Sequence, residues 1–452
     1  MRNERGGFGS RLGIVLATAG SAVGLGNVWR FPYMTGQNGG AAFIIIYLAC
    51  ILLLGIPGMV SEFIVGRHSQ TNAARAYASF SRGKAWGLVG VLGIITSTII
   101  LGFYAVVAGW CLHYLGASTV GQLKGDASFV QHYFQTFSSD PVKPAILGIV
   151  FILITHFIIV RGVRNGIEKA SKLLMPLLFI LLLIIVIASC SLPGASRGIE
   201  FLLKPDFTRV TPKVLLEALG QAFFSLSLGT ACLCTYASYF TKHTKLLHSA
   251  TQIALIDFLI ALMSGLMIFP AAFSVGVQPD SGPSLIFITL PNVFHQAFSF
   301  MPILGYVISI MFYALLVFAA LTSTISMHEI GTAFFHEELH INRSKAAWIL
   351  TIVCSVIAVF CSMSVGKADI QLFGKPLMEF CDYITAQIML PGGALLTSIL
   401  VGWCASKAIV REEFTNWETS NSKSYFSFYI FCVRYIVPIS ILLILMHQFG
   451  VI

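Results

Sequence analysis

The stretch from Leu12 to Pro32, LGIVLATAGSAVGLGNVWRFP, most restricts the folds open to this chain. It is apolar enough to enter a bilayer, yet it carries Gly13, Gly20, Gly24 and Gly26 and ends in Asn27, Arg30 and Pro32. Glycine is a weak helix former, so the sequence predicts a helix that runs to Ala19 and then opens. Opening a helix at membrane depth frees backbone amides and carbonyls that lipid cannot satisfy. Such a break persists only where it lines a cavity or binds something. Freed carbonyls suit a small hard cation, and a half-helix N-terminus suits an anionic group. For the glycines alone, close helix packing through small residues is the alternative. Asn27 and Arg30 beside them, costly at this depth, favour a site.

The rest of the chain supplies the membrane context. Of its 452 residues 56% are hydrophobic and 10% charged, with a mean hydropathy of +0.84. Apolar runs of about 20 residues each span a bilayer core. Eleven candidate spans, numbered 1 to 11 below, lie near 11–34, 41–66, 87–116, 144–161, 173–190, 214–240, 248–276, 301–335, 346–363, 376–405 and 426–449. The first run continues into WRFP without a small-residue cleavage pattern, so it reads as a span and not as a signal peptide. With the N-terminus cytoplasmic, the inner segments hold 18 of the 28 Lys and Arg, as the positive-inside rule requires. The formal charge of +9 is then topology, with no nucleic-acid partner implied. An odd number of spans puts the C-terminus outside. The ten cysteines fall in or beside apolar runs and imply no disulfide framework.

Glu62 lies inside span 2, and a lone carboxylate there must face protein or water. Tyr104 stands among small residues of span 3. Gly166 and Pro176 weaken the start of span 5 and mark a candidate hinge. Span 6, LGQAFFSLSLGTACLCTYASY, repeats the logic of span 1, with Ser225, Ser227 and Gly229 interrupting an apolar run. Spans 1 and 6 open two blocks of five, and broken helices at matching places of two halves point to a transporter binding site. An odd number of spans per block makes the halves opposite in orientation, as an inverted repeat requires. Span 7 holds Asp257, and span 8 holds Thr322 and Ser323, whose hydroxyls face a cation or bond back to their own helix. The apolar, proline-broken SGPSLIFITLPNVF after span 7 reads as a re-entrant plug.

His336-Glu337-Glu338-Leu339-His340 matches the H-E-x-x-H zinc signature. It sits at the inner end of span 8 beside Asn342, Arg343 and Lys345, a solvated edge without a clear third ligand. The sequence therefore argues against an enzyme.

Together, RLGIVLATAGSAVGLGNVWRFPYMTGQNGGAAF, GIPGMVSEFIVGR, GQAFFSLSLGTACLCTYASY, AALTS and LPGGALLTSILVGW resemble the neurotransmitter:sodium symporter family in its eleven-helix prokaryotic form. The resemblance covers nearly the whole chain. It implies an all-α polytopic membrane protein with a leucine-transporter-type fold, a 5+5 inverted repeat and broken helices 1 and 6. A transporter core would occupy 1–405, with repeats near 11–190 and 214–405, followed by an inner loop and eleventh helix at 406–452. The implied function is sodium-coupled symport of an amino acid by alternating access, in the inner membrane. Proton-coupled or exchange-type transport, or a non-transporting amino-acid sensor, are the rivals. A monomer suffices for this, and a dimer is compatible with it.

Carried over by position, the resemblance implies two Na+ sites. One uses Ala22, Asn27, Ser225 and Asp257; the other uses Gly20, Val23, Ala319, Thr322 and Ser323. The substrate would lie among Ala22, Gly24, Gly26, Ile100, Tyr104, Phe224, Ser227, Thr230, Ser323 and Met327, with Phe224 as aromatic lid. Gly24 leaves room for a substrate carboxylate where monoamine carriers have aspartate. Arg30 with Asp382 resembles an outer gate, and Arg5 with Glu337 an inner one supported by Tyr239. Chloride-dependent members hold an anion beside the first sodium through positions that here are Tyr47, Gln221, Ser225 and Asp257. A fixed carboxylate at Asp257 would replace that anion, so transport is expected to need no chloride. Left alone when sodium departs, that carboxylate would take up a proton, giving proton antiport.

Overall fold

In a computed structural model the chain is almost wholly α-helical, and the residues described are 7–80, 83–123, 127–276, 285–366, 370–417 and 424–451. Among them, nine helices are long and apolar enough to cross a membrane, from Ala41–Ser69 to Phe426–Gln448. A tenth crossing is the bent pair Arg11–Ala22 and Leu25–Gln37, whose axes differ by 62°. The eleventh expected span, 214–240, is two short helices, Pro212–Ser225 and Cys232–Ala237, with residues 226–231 unwound between them. It fails as a continuous helix for the reason that it was singled out.

Several spans contain proline, and the backbone absorbs it in one repeated way. Pro57, Pro291, Pro391 and Pro438 each occupy the second position of an α-helix preceded directly by a π-helical turn. A proline ring clashes with the carbonyl four residues back and offers no N–H. Widening the preceding turn moves that carbonyl away and keeps the span unbroken.

Helix Gly87–Thr119 packs against Lys143–Val160, Pro302–Glu338 and Arg343–Val365. The half-helix Arg11–Ala22 lies against Lys169–Cys190, Leu246–Ser274 and Pro302–Glu338, and Cys232–Ala237 lies against Ile56–Ser69. Both broken segments are thus interior. On Lys169–Cys190 the exposed side chains Leu173, Leu177, Ile180, Ile184 and Ile187 recur at helical spacing, an apolar stripe that suits lipid. The hinge at Gly166 and Pro176 is wound here: Val163–Glu168 is π-helical and runs into Lys169–Cys190 with Pro176 inside it. Of the supposed plug, 281–284 lie outside the described residues. Leu285–Thr289 and Leu290–Ala297 are helical, and Phe287 is buried against Trp110, Tyr114 and Phe134.

Candidate functional site

The first half of span 1 ends at Ala22, and Val23 and Gly24 are extended before the helix resumes at Leu25. Four of the backbone groups freed at this break have side-chain partners. The Ser21 carbonyl accepts from Ser227 Oγ at 3.1 Å. The Val23 carbonyl accepts from Ser323 Oγ at 3.2 Å and Thr322 Oγ1 at 3.5 Å. The Gly24 N–H donates to Asn27 Oδ1 at 3.1 Å, and the Leu25 N–H donates to the Tyr104 hydroxyl at 3.1 Å.

The second break closes on itself. Ser227, Gly229 and Ala231 take left-handed backbone angles, with φ of 53°, 82° and 60°. Thr230 Oγ1 donates to the Ser227 carbonyl at 2.7 Å and accepts the Cys232 N–H at 3.1 Å. Ser97, from the helix that also carries Ile100 and Tyr104, donates to the Thr230 carbonyl at 2.8 Å.

Two oxygen-rich clusters result. In one, Asp257 is fully buried, accepting from Ser225 Oγ at 2.6 Å, Asn27 Nδ2 at 2.8 Å and the Tyr47 hydroxyl at 3.5 Å. No described ion pair includes this carboxylate. In the other, Thr322 Oγ1 lies 3.0 Å from the Ala319 carbonyl, and a Cβ on Gly20 would come within 3.2 Å of Thr322 Cβ. Between the clusters, a Cβ on Gly24 would stand 2.6 Å from Ser323 Oγ and 3.2 Å from the Tyr104 hydroxyl. One on Gly26 would stand 2.8 Å from the Phe224 ring. Ile100 lies one turn before Tyr104 and Met327 one turn after Ser323, both half-buried, so apolar surface borders the polar centre.

Comparisons with known proteins identify the family. The model of the "Sodium:neurotransmitter symporter family" matches residues 5–140 and 139–451. The chain belongs to that family. The symporter is 39% identical over 448 residues to an uncharacterized sodium-dependent transporter, YhdH, of Bacillus subtilis, covering 98% of each chain. It is 25% identical over 453 residues to the human sodium- and chloride-dependent GABA transporter 2, covering 88% of this chain and 73% of that one. Among solved structures it is similar to MhsT in complex with L-phenylalanine. That match has a TM-score of 0.88 and 37% identity, and covers 98% of this chain and 99% of MhsT. It is a sodium-dependent membrane transporter and not an enzyme.

Several expected partnerships take other forms in the symporter. Gln221 is buried but its amide bonds neither Tyr47, Ser225 nor Asp257. It shares a helix face with Ser225, whose one proton already goes to Asp257. Arg30 makes no ion pair with Asp382 within 4.0 Å; its guanidinium lies 4.1 Å from the Phe224 ring centre, while Asp382 is exposed. A water-facing carboxylate gains little from direct pairing, whereas an aromatic face attracts a cation held over it. Tyr239 donates to Glu329 at 2.6 Å, and not to Glu337. Glu337 accepts from the backbone and side chain of Asn72 at 2.7 and 3.0 Å, and Arg5 lies outside the described residues. The zinc-like motif is helical only as far as Glu338. Pro302–Glu338 ends before His340, which has a left-handed φ of 51° and so leaves the face of His336.

Two inner contacts were not anticipated. Glu329 is fully buried, and Arg343 pairs with it through both terminal nitrogens while donating Nε to the Ile159 carbonyl at 2.9 Å. Glu329 carries the signal that singled out Glu62, a carboxylate inside an apolar run. Glu168, at the start of span 5, accepts from the Gly9 N–H at 2.6 Å and Ser10 Oγ at 2.8 Å. Gly13 admits it, since a Cβ there would lie 2.2 Å from Glu168 Oε1.

Proposed function

We propose that this symporter carries a neutral amino acid into the cell with two sodium ions by alternating access, without chloride and with return of a proton. The observation carrying this reading is Asp257, a buried carboxylate held by Ser225, Asn27 and Tyr47 where the two broken helices meet. In the arrangement described, neutral donors surround the carboxylate. A sodium ion would take the place of the Asn27 amide nitrogen, with Asn27 turning its oxygen to the ion, and the Ala22 carbonyl and substrate carboxylate completing the shell. Oxygen donors of this kind suit a hard monovalent ion.

The second ion would use Gly20, Val23, Ala319, Thr322 and Ser323: Thr322 and Ser323 already bond the Val23 carbonyl, and Gly20 and the Ala319 carbonyl lie against Thr322. The amino acid would lie between the breaks. Its carboxylate would approach Gly24, Gly26 and the Tyr104 hydroxyl, which accepts from the Leu25 N–H. Ile100, Phe224, Ser227, Thr230 and Met327 would border the side chain. The MhsT complex with L-phenylalanine supports an amino acid as cargo. Chloride independence rests on the fixed charge of Asp257, in contrast to the human relative named as chloride-dependent. Differential affinity drives the cycle, because cargo shifts conformations only if it binds them unequally. The orientation proposed is multi-pass in the inner membrane with a cytoplasmic N-terminus and an outer C-terminus, and one subunit contains the whole site.

The test is uptake by the purified protein in proteoliposomes with an imposed sodium gradient, across all common amino acids. Accumulation should require sodium and persist when chloride is replaced by gluconate. Sodium-independent accumulation would refute the reading.

A further inference from the structure

Glu62 is a buried carboxylate outside the sodium sites that makes no described ion pair. It sits in Ile56–Ser69 and is 1% exposed. Its Oε1 accepts the Gly229 N–H at 2.7 Å, at the centre of the broken sixth span. Gly229 is wedged there, since its φ is 82° and a Cβ would meet the Leu390 carbonyl at 2.2 Å. Oε2 of Glu62 is buried and has no hydrogen-bond partner. Beside it is a cavity of about 10 Å³ lined by Ser61, Leu228, Thr397 and Ser398 among others, near the smallest size that admits a single water.

Counting protons in the lining decides what Oε2 faces. A hydroxyl has one proton and two lone pairs. Ser61 gives its proton to the Pro57 carbonyl at 2.8 Å, so Tyr429, 2.9 Å away, donates to Ser61. Thr397 gives its proton to the Gly393 carbonyl at 2.8 Å, so Tyr77, 2.8 Å away, donates to Thr397. Ser398 gives its proton to the Val433 carbonyl at 2.5 Å. All three hydroxyls therefore turn lone pairs into the cavity and none has a proton left for a carboxylate.

Among the described residues no cation pairs with the group either. The titratable side chains around it are Tyr77 and Cys232, with Tyr429 behind Ser61, and the backbone amide of Cys234, like that of Gly229, is directed at the carboxylate. Charged side chains on the elements packed against this helix are held elsewhere. Arg75 pairs with Glu338, Glu413 with Arg67, Arg434 bonds the Gly402 carbonyl, and Asp257 bonds Asn27, Ser225 and Tyr47. Lys407 and Arg411, on the inner helix Lys407–Phe414, make no described ion pair with Glu62.

We propose that Glu62 is a second proton-binding site, separate from Asp257, that holds its proton on Oε2 while the break at Gly229 is closed. The proton supplies the one donor that an acceptor-lined cavity lacks, directly or through a single water. A charged carboxylate there would be both unpaired and unsolvated, which is costly in a low-dielectric interior. The proton leaves to water only when Ile56–Ser69 and Leu390–Ile399 part and the cavity hydrates. Proton release thereby reports on the packing of the sixth span against its neighbours.

The test uses the full chain reconstituted in lipid at neutral pH, read by infrared difference spectroscopy. The carbonyl stretch of protonated carboxyls should contain a component band that Glu62→Gln removes and Asp257→Asn leaves, whatever Asp257 itself contributes. That readout does not depend on which substrate the transporter carries or on sodium coupling. Sodium-dependent substrate affinity should survive Glu62→Gln, which keeps an acceptor for Gly229 and a donor for the cavity. It should fall about tenfold in Glu62→Ala, where the buried Gly229 N–H is left unmet. Absence of the band, its survival in Glu62→Gln, or equal loss of affinity in both variants overturns the proposal. If Glu62→Gln does not fold, Tyr77→Phe decides. It frees an accepting position on Thr397 and should shift the band, and an unchanged band overturns the proposal.

Discussion

Ser225 Oγ donates to Asp257 Oδ2 at 2.6 Å, joining the end of the first half of span 6 to the middle of span 7. Asn27, from beyond the break in span 1, bonds the other carboxylate oxygen at 2.8 Å. Three segments far apart in sequence thus share one negative charge, and the first predictions follow from that charge.

Asp257→Asn should gain a chloride requirement and lose its response to internal pH. In the parent protein, protons on the release side neutralise the carboxylate once sodium leaves, so uptake should rise as internal pH falls. Uptake in proteoliposomes, with internal pH and external chloride varied separately, checks both signs. A mutant that transports normally and stays indifferent to chloride refutes the charge-substitution idea.

Asn27→Leu should abolish sodium-dependent substrate binding while the protein stays monodisperse in detergent. Leucine removes the acceptor for the Gly24 N–H and offers no oxygen to an ion. Scintillation proximity binding with and without sodium measures this. Unaltered sodium dependence would remove Asn27 from the site.

Gly24→Ala should weaken substrate binding tenfold or more. Its Cβ would stand 2.6 Å from Ser323 Oγ and 3.2 Å from the Tyr104 hydroxyl, and overpacking a filled interior costs about 1–3 kcal/mol. A parallel thermal-unfolding measurement separates loss of affinity from loss of fold.

Asp382→Ala should impair transport more than binding. Arg30 lies over Phe224 and not against Asp382 in the arrangement described, so the carboxylate matters only when the outer path closes. Equal transport rates in the variant and the parent would remove Asp382 from the gate.

Glu329→Gln should lower thermal stability and raise the inner accessibility of engineered cysteines. Removing one partner of a buried pair costs about 3–5 kcal/mol when the other charge stays buried. Arg343 is 21% exposed at its side chain, so the loss should lie at or below the lower end of that range. The double variant Glu329→Gln with Arg343→Met should recover part of the stability.

Much of this architecture is local in origin and was legible in the chain. Runs of about 20 apolar residues set the spans. Gly24, Ser227, Gly229 and their neighbours set the two breaks, because helix propensity and left-handed backbone angles are properties of a residue and its immediate neighbours. Glu62 and Asp257 announced themselves as carboxylates in apolar runs, whatever their partners. The partners themselves were decided by tertiary packing. Arg30 over Phe224, Tyr239 on Glu329, Glu168 against Gly13 and the amide of Gln221 without a bond each depend on which helix faces meet. A side-chain proton satisfies one acceptor at a time, and which acceptor lies within 3 Å is set by segments far apart in sequence, 230 residues for Asn27 and Asp257 and 368 for Ser61 and Tyr429. Sequence pattern therefore located the polar groups, and only the fold determined where each proton points.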